Sequence, residues 1–451
     1  MDQTFMKTRK VFPLVCSMAL PMVISMLVNS LYNIIDSYFV ARISEDAMTA
    51  LSLIFPLQNI VAAVSIGFGV GVNAAASFFM GSGDSSRASA AASLGMILSI
   101  VHGLVLTLVM MLVMPSFLRS FGASREIVQA GLDYGYIVMA FSLVDSVSLC
   151  YEKLFQSVGR MKISMFCLLA GCIVNIVLDP LMIFGIGPFP EMGIRGAALA
   201  TGIGLTVPLI FYIIFYGRGL LGIRIRLDPL KADWRLAGRL YLVGVPAALN
   251  QALPSLQISV LNTILAGFGG SGVLILGIYN KLQTFIYLTA NGIIQGIRPL
   301  AGYNYGAGET GRLRRISRTA LAMCLVVMAA GMILSLTIPD RLMGLFLHDP
   351  AVIAESARAL RIISCGFLAS AFSFTWSGML EGMGKGIQSL IIMLLRYVVI
   401  IIPAAFVLSR LMDSPDCVWH AFWITEWITI VLSFCLYRKV MAKAGAETDK
   451  I

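Results

Sequence analysis

The chain has 451 residues, of which 58% are hydrophobic and 12% are charged, and its formal net charge is +10. A mean hydropathy of +0.88 excludes an ordinary soluble domain, because such domains have about twice this share of charged residues. Long apolar runs recur along the chain, and each can cross a hydrocarbon layer of about 30 Å. The composition therefore predicts an integral membrane protein built from spanning helices.

Twelve spanning helices are predicted, six in each half of the chain. Those of the first half cover residues 13–41, 48–80, 88–117, 131–157, 162–187 and 193–216. Those of the second half cover residues 238–268, 273–303, 315–340, 356–382, 387–410 and 417–437. A basic linker, 217–237, joins the halves and is predicted to lie on the cytoplasmic surface with a short amphipathic segment. We expect no cleaved signal peptide, because the first apolar run lacks a cleavage site of small residues.

Most lysine and arginine residues fall on one side of this arrangement, among them Lys7, Arg87, Arg160 and Arg438. Cytoplasmic loops of membrane proteins carry such an excess of positive charge. We therefore expect both termini in the cytoplasm. The basic excess then reflects topology and contact with acidic membrane lipid, and nucleic acid is not expected as a partner.

The second half of the chain repeats the first at a constant shift of 225 residues. The matched pairs include Pro21 with Pro246, Ser30 with Ser255, Gly67 with Gly292, Gly71 with Gly296, Phe121 with Phe346 and Gly159 with Gly384. Because each repeat has an even number of crossings, both halves enter the membrane from the same side. We predict an all-α membrane fold of twelve transmembrane helices in two six-helix lobes, 1–225 and 226–451, related by a pseudo-two-fold axis along the membrane normal.

Few acidic residues fall deep inside the predicted spans, where a charge costs about 2.5–3.5 kcal/mol on insertion scales. Asp36 and Asp179 lie near the outer ends of their spans, at a depth of roughly 9–12 Å from the helical rise. Asn175 lies one turn below Asp179, and Thr201 reaches a similar depth from the next span. These four residues are predicted to share one oxygen-rich site in the first lobe.

Carboxylate, amide and hydroxyl oxygens in a low-dielectric pocket can act in two ways. Burial and mutual repulsion favour the protonated form of a carboxyl group, and hard cations such as Na⁺ take oxygen ligands. The site is therefore expected to bind H⁺ or Na⁺, with Asp36 and Asp179 as metal ligands only in the second case. The alternative is that Asp179 merely caps a helix interrupted at Pro180.

The second half does not repeat this site. At the shift of 225, Asp36 aligns with Leu261, Asn175 with Ile400, Asp179 with Ala404 and Thr201 with Glu426. Lys281 and Glu426 have similar predicted depths, which predicts an ion pair that orders the lobe, with a substrate contact as the alternative. Asp145 has no matching acid and is predicted to face a cavity as a cation contact. The other candidate cavity residues are Asn33, Gln58, Gln283, Lys281 and Arg298.

Enzymatic chemistry is not indicated. The stretch GMLEGMGKG (378–386) places its Gly-Lys pair one residue out of the Walker A spacing and lacks the following Ser or Thr. The eight cysteines and three histidines have no metal-ligand spacing. We therefore expect a transporter driven by an ion gradient, with no cofactor besides the coupling ion.

Over nearly its whole length the chain resembles the multidrug and toxic compound extrusion (MATE) family. The resemblance is carried by LYNIIDSYFVAR (31–42), GFGVGVNAAASFFMGSGD (67–84), VNIVLDPLMIFGIG (174–187), GIRGAALATGIG (193–204) and QGIRPLAGYNYGAGE (295–309). It implies two six-helix lobes in a bacterial plasma membrane, and a place in the branch that includes DinF-like and MepA-like exporters. It further implies alternating-access export of organic cations in exchange for H⁺ or Na⁺, with cation coupling at Asp36, Asn175, Asp179 and Thr201. Tyr134 is a weaker match to the same site.

The second half departs from the family pattern. Acids that some Na⁺-coupled members place in helices 7 and 10 are missing, which favours coupling through the first lobe. A flippase for a lipid-linked saccharide is the alternative function, because Lys281, Arg298 and Arg396 offer cations to a pyrophosphate headgroup. We expect the protein to act as a monomer on a small organic cation.

Overall fold

The protein was described from a computed structural model, which covers residues 3–412 and 414–448. Within these ranges the regular secondary structure is entirely helical. The predicted cytoplasmic location concerns chain ends that lie outside the described residues.

The first half of the chain forms eight helices. They are α1 (Phe5–Thr8), α2 (Val11–Ala41), α3 (Glu45–Gly81), α4 (Ser85–Ser120), α5 (Arg125–Ala140), α6 (Ser142–Ser157), α7 (Met161–Phe184) and α8 (Ile194–Gly217). The second half forms the remaining helices after two short 3₁₀ turns, Pro229–Lys231 and Trp234–Leu236. They are α9 (Ala237–Ala266), α10 (Gly272–Gly306), α11 (Thr310–Thr337), α12 (Pro339–Gly344), α13 (Pro350–Ser364), α14 (Phe367–Gly382), α15 (Gly386–Leu394), α16 (Ile401–Met412) and α17 (Pro415–Thr448).

Each of the twelve predicted spans corresponds to one helix or to consecutive helices, so the predicted all-α membrane fold is confirmed. By length and composition, nine helical segments of the described chain can cross a membrane, or eleven if each bent pair counts as one span. The remaining span is α9, a helix of 30 residues. Its polar side chains, including Asn250, Gln251, Gln257 and Asn262, lower its apolar character.

Three predicted spans are not straight helices. The span formed by α5 and α6 bends by 43°, and that formed by α13 and α14 bends by 50°. Between α15 and α16 the chain winds into a π-helical segment, Leu395–Ile400. Such wide turns occur frequently at functional sites. In this chain, the segment contains the buried Arg396.

The chain divides into two compact units, and the boundaries after Val23 and after Ala248 fall inside helices. The first unit contains Ile24–Ala248, and the second contains Thr4–Val23 together with the described part of Leu249–Ile451. Helices α2 and α9 therefore each contribute residues to both units.

Glycines allow close helix packing within each unit. In the first unit, a Cβ atom on Gly71 would lie 3.1 Å from the backbone nitrogen of Gly244 in α9. In the second unit, a Cβ atom on Gly296 would lie 2.6 Å from the Cα atom of Ala19 in α2. Gly71 aligns with Gly296, and Ala19 with Gly244, so the repeat preserves the contact. Small residues let helix backbones approach closely in membranes, where no hydrophobic effect drives helices together.

The linker is attached to the first unit by its backbone. The Arg226 N–H donates to the Ser93 hydroxyl at 2.9 Å, and the Ile225 N–H donates to the Tyr216 hydroxyl at 2.9 Å. Leu221 and Ile223 are buried in the hydrophobic core of this unit. The linker is therefore a packed part of the fold over these residues.

Candidate functional site

Three helices of the first unit bring the predicted acidic site together. Asp36 on α2, Asn175 and Asp179 on α7, and Thr201 on α8 are all less than 8% exposed. The Asn175 side-chain amide donates to Asp179 Oδ1 at 3.4 Å. The Asp36 and Asp179 carboxyl groups lie within hydrogen-bonding reach of each other when one of them carries a proton. The structure thus brings together the residues to which the sequence assigns one depth.

Each residue of the cluster keeps one buried oxygen without a hydrogen-bond partner among the described residues. These oxygens are Asp36 Oδ1, Asn175 Oδ1, Asp179 Oδ2 and Thr201 Oγ1. Buried polar atoms in proteins are normally paired, and leaving one unpaired costs about 1–3 kcal/mol. Four such oxygens in one cluster form a donor set suited to H⁺ or to a hard cation such as Na⁺.

Glycines set the position of α7 against α8 at this level. A Cβ atom on Gly204 would lie 2.9 Å from the Asn175 Cβ atom, and one on Gly171 would lie 2.5 Å from the Gly204 carbonyl oxygen. The bare backbone therefore lets α8 carry Thr201 up to the carboxamide and carboxylate of α7. Helix α7 also continues through Pro180 to Phe184, so Asp179 does not cap an interrupted helix.

Two tyrosines and a glutamine surround the cluster. The Tyr134 ring is buried, and its hydroxyl accepts a hydrogen bond from Gln58 Nε2 at 3.5 Å. The Tyr32 and Tyr134 hydroxyls both lie near Thr201, and Tyr32 also lies close to Asp36. The sequence also places Tyr32 one turn before Asp36 on the same helix face, which predicts its position beside the cluster.

A cavity of about 490 Å³ opens onto this cluster within the first unit. Its lining includes the predicted residues Asn33, Asp36, Gln58, Tyr134, Asp145 and Thr201. A neighbouring cavity of about 160 Å³ reaches Asn175 and is also lined by Asp145. Among the described residues, the acids of the larger lining are Asp36 and Asp145, and none of its side chains is a lysine or arginine. This cavity is therefore acidic.

The second unit has a fixed ion pair that the sequence did not predict. Arg396 Nε donates to Glu426 Oε1 at 2.7 Å, and Arg396 Nη2 donates to the Tyr287 hydroxyl at 3.0 Å. The guanidinium carbon lies 4.3 Å from the centroid of the Phe374 ring. The predicted pairing of Glu426 with Lys281 is wrong, because Glu426 pairs with Arg396 and Lys281 is exposed. The depth of Glu426 along its span does not show which neighbouring helix its side chain faces.

A third cavity, of about 270 Å³, lies wholly within the second unit. Its lining contains the predicted residues Gln283 and Arg298. Arg298 Nη2 lies 2.6 Å from Glu381 Oε2, so its charge is paired. The Asn250 amide donates to Glu381 Oε1 at 2.8 Å, which completes a polar floor for this cavity.

The sequence matches the family profile described as MatE twice, over residues 21–181 and 246–407. The two matches begin 225 residues apart, at the shift of the internal repeat. Multidrug export protein MepA of Staphylococcus saprophyticus is 28% identical over 418 residues, covering 92% of this chain and 91% of that protein. The protein of the same name from Staphylococcus aureus is 28% identical over 412 residues, covering 91% of this chain and 90% of that protein.

Solved structures have a similar fold. A MATE protein crystallised in the bent conformation has a TM-score of 0.93 at 22% identity, covering 100% of this chain and 99% of that chain. A MOP superfamily transporter from Pyrococcus furiosus, described as having a binding pocket of reversed polarity, has a TM-score of 0.90 at 22% identity. This match covers 98% of the chain and 99% of the P. furiosus protein. At these identities the similarity concerns the fold alone.

Proposed function

Because the chain belongs to the MatE family of multidrug and toxic compound extrusion transporters, we propose that it exports organic cations in antiport with H⁺ or Na⁺. The relatives named multidrug export protein MepA, similar over about nine-tenths of both chains, support export of several drugs as the coarse function. A bacterial plasma membrane is the proposed location. No cofactor is proposed besides the coupling ion.

The observation that carries the proposal is the set of four unpaired oxygens around Asp36 and Asp179. An organic cation and a coupling ion are both attracted electrostatically by the same ionised carboxylate. Once H⁺ or Na⁺ neutralises the Asp36 carboxylate, that side chain no longer attracts a cationic substrate in the adjoining cavity. Binding of the ion and binding of the substrate then oppose each other, which is the thermodynamic requirement of exchange.

The second unit supports a coupling role for the first unit alone. Glu426 occupies the position that aligns with Thr201, and Arg396 occupies the position that aligns with Gly171. Through the repeat, the Arg396 guanidinium of the second unit therefore corresponds in position to the neighbourhood of the unpaired oxygens in the first unit. Because Arg396 is paired with Glu426, the position that aligns with Thr201 already has a positive partner supplied by the protein itself.

A flippase for a lipid-linked saccharide stays the second candidate. An anionic pyrophosphate headgroup needs a cationic cavity. The first-unit cavity is lined by acids, and the second-unit cavity has one arginine that is paired with Glu381. These linings favour a cationic substrate over an anionic headgroup, and Lys281, one of the three cations behind this alternative, is exposed.

The test is transport by purified protein in proteoliposomes. We expect efflux of ethidium to follow a pH or Na⁺ gradient at fixed membrane potential, and varying the two gradients separately identifies the coupling ion. Asp36→Asn is expected to abolish gradient-driven efflux, because the amide is uncharged and neither takes up H⁺ nor attracts Na⁺ as a carboxylate does. Asp46→Asn, at an exposed acid in the first turn of α3, is the matched control and should behave as wild type. Unchanged coupling in Asp36→Asn would contradict the assigned role.

A further inference from the structure

The cavity of the second unit is lined by an unusual number of side-chain amides. Six carboxamides come from α9 and α10: Asn250, Gln251, Gln257, Asn280, Gln283 and Asn291. Among the described residues, only the Asn250 amide has a side-chain hydrogen bond, to Glu381 and Ser389. The other five carboxamides line the cavity, and each side chain carries both N–H donors and a carbonyl acceptor. An amide offers two N–H donors and one carbonyl acceptor, so this wall can recognise the edge of a polar ring.

Another part of the lining is aromatic. Tyr287, Phe374 and Tyr397 line the cavity, and all three contact Arg396. The Arg396 guanidinium donates to both tyrosine hydroxyls, at 3.0 Å to Tyr287 and 3.4 Å to Tyr397. It also lies over one face of the Phe374 ring at 4.3 Å from the centroid. These contacts fix the three rings, and Tyr287 and Phe374 meet edge-to-face with centroids 5.0 Å apart and planes at 67°, so an aromatic corner is formed before any ligand arrives.

The charges of this lining disfavour a cation. Its acid, Glu381, lies 2.6 Å from Arg298, and Arg298 Nε has no hydrogen-bond partner among the described residues. An approaching cation thus finds no unpaired carboxylate. The guanidinium on one face of Phe374 also opposes a second cation on the other face. The first-unit cavity, which presents Asp36 and Asp145, has the opposite preference.

We propose that the cavity of the second unit is a binding site for uncharged planar heteroaromatic compounds. Their rings pack against the faces of this aromatic corner, and the donors and acceptors at their rim bond to the carboxamides. Asn and Gln recognise a purine edge in this bidentate way, and bases stack on aromatic side chains. The volume of about 270 Å³ lies just below the usual range of about 300–1,000 Å³ for drug-sized ligands, which suits a compound of one or two rings.

The site is tested by binding to the full-length protein in detergent, with no transport required. The probe is 2-aminopurine riboside, which is uncharged and whose fluorescence is quenched on stacking. We expect saturable quenching that weakens at least about fivefold in Gln283→Leu and, independently, in Asn291→Leu, because each loses an amide contact. Gln129→Leu, at an exposed carboxamide of α5, is the matched control and should bind as wild type.

Competition defines the ligand class. Unlabelled adenosine should displace the probe, whereas sucrose at the same concentration should not, because it lacks a planar ring. Ethidium should displace the probe at least tenfold less well than adenosine. Absence of quenching, equal binding by both leucine variants and wild type, or equal displacement by sucrose or ethidium would each overturn the proposal. Binding that persists in Asp36→Asn separates this site from the antiport mechanism, so the two proposals can fail independently.

Discussion

The buried ion pair of the second unit makes a sharp prediction about stability. In Glu426→Leu, the Arg396 guanidinium is left buried at 3% exposure with only tyrosine hydroxyls as acceptors. Removing one partner of a buried pair costs about 3–5 kcal/mol, whereas replacing both by apolar residues of similar volume is often neutral or stabilising. For a unit of this size such a loss corresponds to roughly 6–20 °C in melting temperature. The double variant Arg396→Met/Glu426→Leu should therefore melt well above the single variant.

The measurement is thermal unfolding in detergent, followed by the amount of protein that still elutes as a folded species. Arg361→Met is the control, because Arg361 and Asp340 form an exposed pair at 3.2 Å in the same unit and such pairs contribute about 0–1 kcal/mol. A Glu426→Leu variant as stable as this control, or a double variant no more stable than Glu426→Leu, would refute the reasoning. We also expect the double variant to retain ion-driven efflux, since the proposed coupling residues lie elsewhere.

Two glycine substitutions test how packing positions the sites. Gly204→Val should reduce ion-driven efflux at least about tenfold while folded protein is still obtained. The reason is that its Cβ would lie 2.9 Å from Asn175 Cβ and push the cluster apart. Gly217→Val is the control and should transport normally, because a Cβ there would have no atom within 4 Å. Gly292→Val should lower the melting temperature, because its Cβ would lie 2.6 Å from the Val23 backbone and overpacking costs about 1–3 kcal/mol. Gly277→Val has open space and is the control, and equal melting of the two would contradict this assignment.

The acidic site could be predicted from the sequence because hydrophobic runs fix depth. A helix that spans the membrane places each residue at a level set by its distance from the span end. Asp36, Asp179, Asn175 and Thr201 share one level, and few other acids do. Counting residues from the ends of three helices is therefore enough to assign these side chains to one cluster.

The environment of Arg396 could not be predicted in the same way. Depth alone made Lys281 a partner for Glu426, since depth does not say which face a side chain occupies. The π-helical segment, Leu395–Ile400, turns Arg396 relative to a regular α-helix, and hydrophobic periodicity gives no sign of it. The bend after Ala140 was also missed, because the connecting residue is Phe141 and no proline or glycine marks that position.

The packing of α10 on the start of α2 bears on how the protein is made. Gly292 and Gly296 contact Val23 and Ala19, so α2 completes its packing against a segment made about 270 residues later. At about 5–20 residues per second, translation needs roughly 15–50 s to supply that partner. During this interval the face of α2 that carries Ala19 and Val23 must be covered by lipid or by the insertion machinery. Helix α2 thus waits for these neighbours through most of the synthesis of the second half, and substitutions on that face should affect biogenesis before they affect transport.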